Sequence, residues 1–234
     1  RVSIIKGRKL VSPNLSDTLG AKIQGGPTLP VALDVVKIPE FLLSKDEMRY
    51  YMLKMEVPSI IGDRPQVVIS FEPLYSVDHV LYYGRMYIDR QTLAFTRIEM
   101  SLDMHDLERA TQVILLHKPA GVRFRPRELT TTISYLYDGH VSRMHYLHSD
   151  VRFHCDWRKR LFSSSYHVEA EMVVTDLVSE DAKPIPGRES FSWRDSFYDK
   201  VGFFNDPDFW GQYNIIEPSE SLENAISKLK KKVN

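Results

Sequence analysis

One feature constrains this chain more than any other: apolar and polar side chains alternate with period two from residue 67 to about 178. Tyr82, Met86 and Ile88 fall on one parity across Gly84. Ala94, Ile98, Met100 and Leu102 repeat the pattern after the polar stretch Asp89, Arg90, Gln91 and Thr92. Two such runs joined by a short loop predict an antiparallel hairpin. Its other parity carries Arg85, Asp89, Arg97 and Glu99, charges that require water, so the hairpin is expected to have one wet and one dry face. Further strands are expected over 67–71, 112–117, 128–137, 141–157 and 166–178, with Asp138 and Gly139 forming a tight turn between two of them. The later strands exceed the usual ~5–6 residues, and long neighbours in a meander curl.

A sheet that is dry on one face needs a lid. Helical candidates are residues 30–37, with Val31, Leu33, Val35 and Val36; a short stretch capped by Ser44, with Glu47 three residues on; and residues 219–232, where Leu222, Ile226 and Leu229 share a face and lysines crowd the end. The expected class is therefore α+β, mainly antiparallel β: a curved sheet or incomplete β-barrel with a few helices on its concave side. A single domain over 1–234 is expected. It comprises a helical or irregular opening (1–65), the antiparallel meander (66–180), an aromatic strap (181–217) and a terminal helix (218–234).

Composition mostly excludes. Lys plus Arg and Asp plus Glu are 31 each, so nothing recommends a nucleic-acid surface. The single cysteine, Cys155, rules out an internal disulfide and a multi-cysteine zinc site. No apolar run approaches the ~18 residues of a spanning helix. Residues 1–6 do not read as a signal peptide, and a signal peptide and an N-terminal domain are expected to precede Arg1.

Candidate chemistry centres on histidine. Along 141–157, alternation puts His140, His148 and His154 on one parity with Asp150 and Asp156, while His145, Val151, Phe153, Cys155 and Trp157 take the other. His148 and His154 are six residues apart, about 20 Å in a strand, too far for one metal. Cross-strand polar pairing is the simpler reading, with no metal and no cofactor. Cys155, on the apolar parity, reads as a small buried hydrophobe. Residues 163–165 are a serine turn without a nucleophile elbow, and residues 24–27 are Gly-rich without a phosphate-binding lysine. Glu169 and Glu171 share a strand face about 7 Å apart, a spacing that any exposed strand supplies. The lysines at 228–232 read as a solvated helix end.

The hairpin Gly84, Arg85, Met86, Tyr87, Ile88 and Asp89, followed by Thr92 and Ala94, is similar to a hairpin of Bacteroidales secreted proteins labelled carboxypeptidase-like regulatory-domain-containing. The segments 118–121, 153–157, 171–176 and 208–218 resemble the same group, so the likeness runs along most of the chain. The resemblance implies the part after the regulatory β-sandwich, with no peptidase site. More distantly, this part looks like the LolA/LolB lipoprotein-carrier class. It implies a setting in the periplasm or at the outer membrane.

These readings together give a non-enzymatic cell-envelope module that binds an apolar ligand (a lipid or lipoprotein acyl chain) or a segment of an envelope protein. The expected ligand-facing residues are Tyr82, Met86, Ile88, Ile98, Met100 and Leu102. Two alternatives stand beside it: a hydrolase or metal-dependent enzyme using His148 or His154 with Asp150 and Asp156, and a purely structural interaction domain.

Overall fold

The computed structural model describes residues 33–74, 77–158 and 163–177, with shorter pieces at 6, 22–23, 183, 185–191, 200–204 and 208–209. The chain divides into two compact units, Ala21–Ala182 and Arg1–Gly20 with Lys183–Asn234. In the second unit two 3-10 turns, Gly187–Glu189 and Val201–Phe204, are described, and the rings of Phe191 and Phe204 meet at 4.2 Å. The expected terminal helix, its lysine cluster and the Gly-rich turn at 24–27 lie outside the described residues.

The first unit holds β1 (Lys22–Ile23), α1 (Lys45–Met48), β2 (Tyr51–Met55), β3 (Ser59–Ile61), β4 (Arg64–Pro73), β5 (Tyr82–Asp89), β6 (Phe95–Leu102), α2 (Leu107–Ile114), β7 (Leu115–His117), β8 (Val122–Tyr137), β9 (Ser142–Trp157) and β10 (Ser164–Val173). Eight of these strands form one antiparallel sheet in the order β10-β9-β8-β6-β5-β4-β2, with β3 also on β4; β1 and β7 make a separate pair. The sheet is open and does not close into a barrel: β10 and β2 are its two ends. No helix among the described residues is long and apolar enough to cross a membrane.

The β5–β6 hairpin forms as the alternation predicts, but its register shifts after Tyr87, which faces Arg97 while Ile88 faces Phe95. The additional residue, Thr96, donates its hydroxyl to Gln66 Oε1 at 2.7 Å. Beyond the shift the simple parity fails. Ile88 is only half-buried, and Asp89, expected in water, is 1% exposed. Asp89 is buried because it anchors the turn. Its carboxylate accepts the Thr92 N–H at 2.8 Å, the Gln91 N–H at 2.9 Å and the Thr92 hydroxyl at 3.1 Å, and it pairs with Arg64 at 2.7 Å. The Thr92 N–H foremost holds its pKa below the usual carboxylate range.

A second irregularity explains why β8 begins earlier than the expected residue 128. Between Pro126 and Glu128 the pairing with β9 slips by one residue. The buried set is Val122, Phe124 and Pro126 before the slip, then Leu129, Thr131, Ile133 and Tyr135 after it. The bulge changes parity in sequence while keeping the same face inward. At the far end Gly139 takes φ +99°, and Asp138 accepts the N–H groups of His140 and Val141 at 2.9 and 2.8 Å, which lowers its pKa to about 2.

Elsewhere the elements differ from expectation. Residues 112–114 end a helix, α2, whose cap is Asp106, accepting from the N–H groups of Glu108 and Arg109. Ala110 and Ile114, four residues apart, are its buried stripe. Residues 33–37 form turns, not helix, and Pro39–Phe41 is a 3-10 turn. The Ser44 cap forms as expected, with the Glu47 N–H 3.1 Å from its Oγ. Residues 51–61, read as part of an irregular opening, supply β2 and β3. β10 stops at Val173, short of the expected 178.

The dry face is a packed core. Phe71, Ile98, Leu102, Ile133, Leu147 and Phe153 from the sheet, with Val35, Leu42, Ala110 and Ile114 from the covering segments, are each 2% exposed or less. Gly84 is fixed by close approach: a Cβ there would lie 1.9 Å from the Glu99 carbonyl oxygen.

Candidate functional site

Tyr82, Met86, Ile98, Met100 and Leu102 all lie in this core, and Ile88 lies half-buried at its margin. Tyr82 meets Phe41 at 4.9 Å, and its N–H donates to the Tyr51 hydroxyl at 3.3 Å. Burial pushes the Tyr51 phenol up to about 12. The chain's own residues therefore fill the space around these side chains.

The described cavities lie on the polar face and at the strand ends, and of the six expected residues Met100 alone borders one of them. One of about 430 Å³ lies along the polar face and is lined by Glu56, Ser70, Arg85, Glu99, Thr130 and Thr132 among others. Another, of about 460 Å³, sits at the sheet end between Leu81, Val80, His79, Asp106 and Arg109. Both are bordered by Glu72 and Tyr83. Register places Lys54, Ser70, Arg85, Glu99, Thr132, His148 and Glu171 opposite one another in a single row across seven strands. Members of this row pair with side chains beside it: Tyr87 donates to Glu99 at 2.9 Å and Arg97 lies 3.6 Å from it, while Ser70 donates to Glu56 at 2.9 Å.

At the β9–β10 end the row becomes a histidine–carboxylate cluster. His148 Nε2 lies 2.7 Å from one oxygen of Asp150, and His167 Nε2 contacts the other. Glu169 Oε1 is 3.6 Å from the same His167 nitrogen. His148 Nδ1 lies 3.5 Å from Glu171, which accepts the Tyr146 hydroxyl at 2.8 Å. Partial burial raises the Asp150 pKa, but hydrogen bonds from His167 and His148 more than offset it, so the net shift is downward. Burial and Glu171 push Tyr146 up to about 12.

The structure thus brings together His148 and Asp150, as their shared parity suggests, and separates them from His154 and Asp156. His154 Nδ1 is 2.8 Å from Ser165 Oγ, and Asp156 pairs with Arg125 at 2.8 Å. Sequence reasoning missed His167, although it shares the parity of Glu169 and Glu171. Cys155 is buried, and burial raises its thiol pKa, as expected of an inert core cysteine.

A last feature is the β2 edge. Met52, Leu53, Met55 and Ile60 are 51%, 44%, 71% and 73% exposed. The Glu56 N–H bonds Val68 and the Tyr50 carbonyl accepts from Leu74, so the even-numbered residues of β2 bond toward β4. Backbone groups of Leu53 and Met55 then point outward, and no described strand pairs with that side. Comparison with models of known families, with curated proteins and with solved structures finds no match to this chain.

Proposed function

We propose that this chain is a non-catalytic binding module of a bacterial cell envelope, docking an extended segment of a partner protein along the outer edge of β2. The observation that carries the reading is the apolar edge formed by Met52, Leu53 and Met55 beside Ile60, which no strand among the described residues pairs. Natural sheets usually blunt an edge with charge, proline or a covering element, because an open strand recruits another. An edge with outward backbone groups and apolar side chains suits strand addition, in which main-chain bonds give affinity and alternate side chains give specificity.

An acyl chain on the dry face is the other occupant the sequence suggests. The near-complete burial of Ile98, Met100 and Leu102 favours the protein segment. The envelope setting, periplasmic or at the outer membrane, and the distant likeness to LolA/LolB carriers rest on the sequence resemblance. The separation of His154 from the His148–Asp150 pair supports a non-catalytic role.

The test is photo-cross-linking from position 53 in envelope extracts, compared with native mass spectrometry of the chain with extracted envelope lipids. We expect a discrete protein adduct that Met55→Pro abolishes, since proline removes an outward N–H and leaves the bonds to β4 intact. Lipid adducts without a protein adduct would overturn the proposal in favour of the carrier.

A further inference from the structure

We infer that His148 and Asp150 of β9, with His167 and Glu169 of β10, form a binding site for one divalent transition-metal ion of the zinc type. The inference is independent of the β2 reading, since it concerns the opposite end of the sheet. Two strands are needed to build the site. Asp150 stands directly opposite Glu169 and His148 opposite Glu171, while His167 lies two residues before Glu169 on the same face. Ligand-type atoms of Asp150, His167 and Glu169 lie within 4.8 Å of one another. Small rotamer adjustments bring such a set to the ~3.4 Å ligand separation of a tetrahedral ion with ~2.0–2.2 Å bonds.

His148 stands beside this set, its Nε2 2.7 Å from Asp150 and its Nδ1 3.5 Å from Glu171, which the Tyr146 hydroxyl in turn orients. A histidine bound to metal through one nitrogen and to a carboxylate through the other is the usual outer-shell arrangement of such sites. Imidazole and carboxylate together suit zinc and its neighbours more than calcium or magnesium.

The test uses the full chain stripped with chelator, titrated with zinc chloride by calorimetry and with cobalt(II) by visible absorption. Expected are one equivalent of zinc bound saturably and a cobalt spectrum of low coordination number. His148→Gln and His167→Gln should each weaken binding at least about tenfold, and Glu171→Gln roughly 10–100-fold through loss of orientation. His154→Gln, on the same face but outside the cluster, should leave the isotherm unchanged. The wild-type cobalt spectrum stands whether or not a variant folds. Absence of saturable binding by the wild-type chain overturns the inference, as does an isotherm that the His148 and His167 changes do not move.

Discussion

The two ends of the sheet are built on opposite plans. β10 exposes Ser165, His167, Glu169 and Glu171 in strict alternation, with Tyr166, Val168, Ala170 and Met172 turned toward the core. β2 exposes four consecutive residues after Tyr51, three of them apolar, so neither of its faces is spent on the core. A charged edge discourages further strands, whereas an apolar one invites them. On the proposed reading, the contrast within one sheet favours strand addition at β2 and opposes it at β10.

The largest expected effects test whether the two ends are anchored equally. Phe71 lies beneath β2, opposite Leu53 and 5.7 Å from the Tyr51 ring. Phe153 lies beneath β10, stacked on Tyr166 at 5.3 Å. Both are fully buried, so Phe71→Ala and Phe153→Ala should each cost about 3–5 kcal/mol in denaturant unfolding. A much smaller cost at Phe71 would mean that β2 is loosely held and that its exposed residues reflect poor packing.

A smaller effect sharpens the contrast itself. The double change Leu53→Lys and Met55→Lys should alter stability by only about 0.5 kcal/mol, yet lower concentration-dependent self-association measured by sedimentation. Glu169→Leu with Glu171→Leu should do the reverse at β10. Equal behaviour of the two pairs would remove the distinction.

The smallest effect is a pH dependence confined to the β10 end. The Asp150 pKa is lowered in the folded chain, so its contribution to stability is complete above the ordinary Asp value of ~3.9 and is lost as pH falls through the lowered one. Asp150→Asn should remove that part of the acid limb in a stability–pH profile, and no corresponding change is expected from Met52→Gln at β2.

How much of this was legible in the sequence follows from where burial is one-sided. Tyr82, Met86, Ile98, Met100 and Leu102 could be read inward because alternation is clean wherever one face is dry. Ile88 and Asp89 could not, because Asp89 is buried by the turn it anchors and by Arg64, contacts that the alternation of β5 does not encode. The run 112–117 mixes the end of a helix with a short strand, and apolar runs that short do not separate the two periods. β2 was invisible for a deeper reason: with both faces exposed, Met52, Leu53 and Met55 show no alternation at all. The histidine–carboxylate cluster depends on which residue of β10 stands opposite Asp150, and pairing register is not written in either strand alone. Only the shared parity of His167, Glu169 and Glu171 hinted at it.

The central claim, that the β2 edge accepts an extended partner strand, is tested most directly by amide hydrogen exchange. The chain would be measured alone and with an extended peptide selected from a random library for binding to it. In the free chain the Leu53 and Met55 amides should exchange much faster than those of Lys54 and Glu56, and in the complex both should become protected. A bound peptide that leaves Leu53 and Met55 fast while protecting the polar groove around Tyr83 and Glu99 would contradict the account.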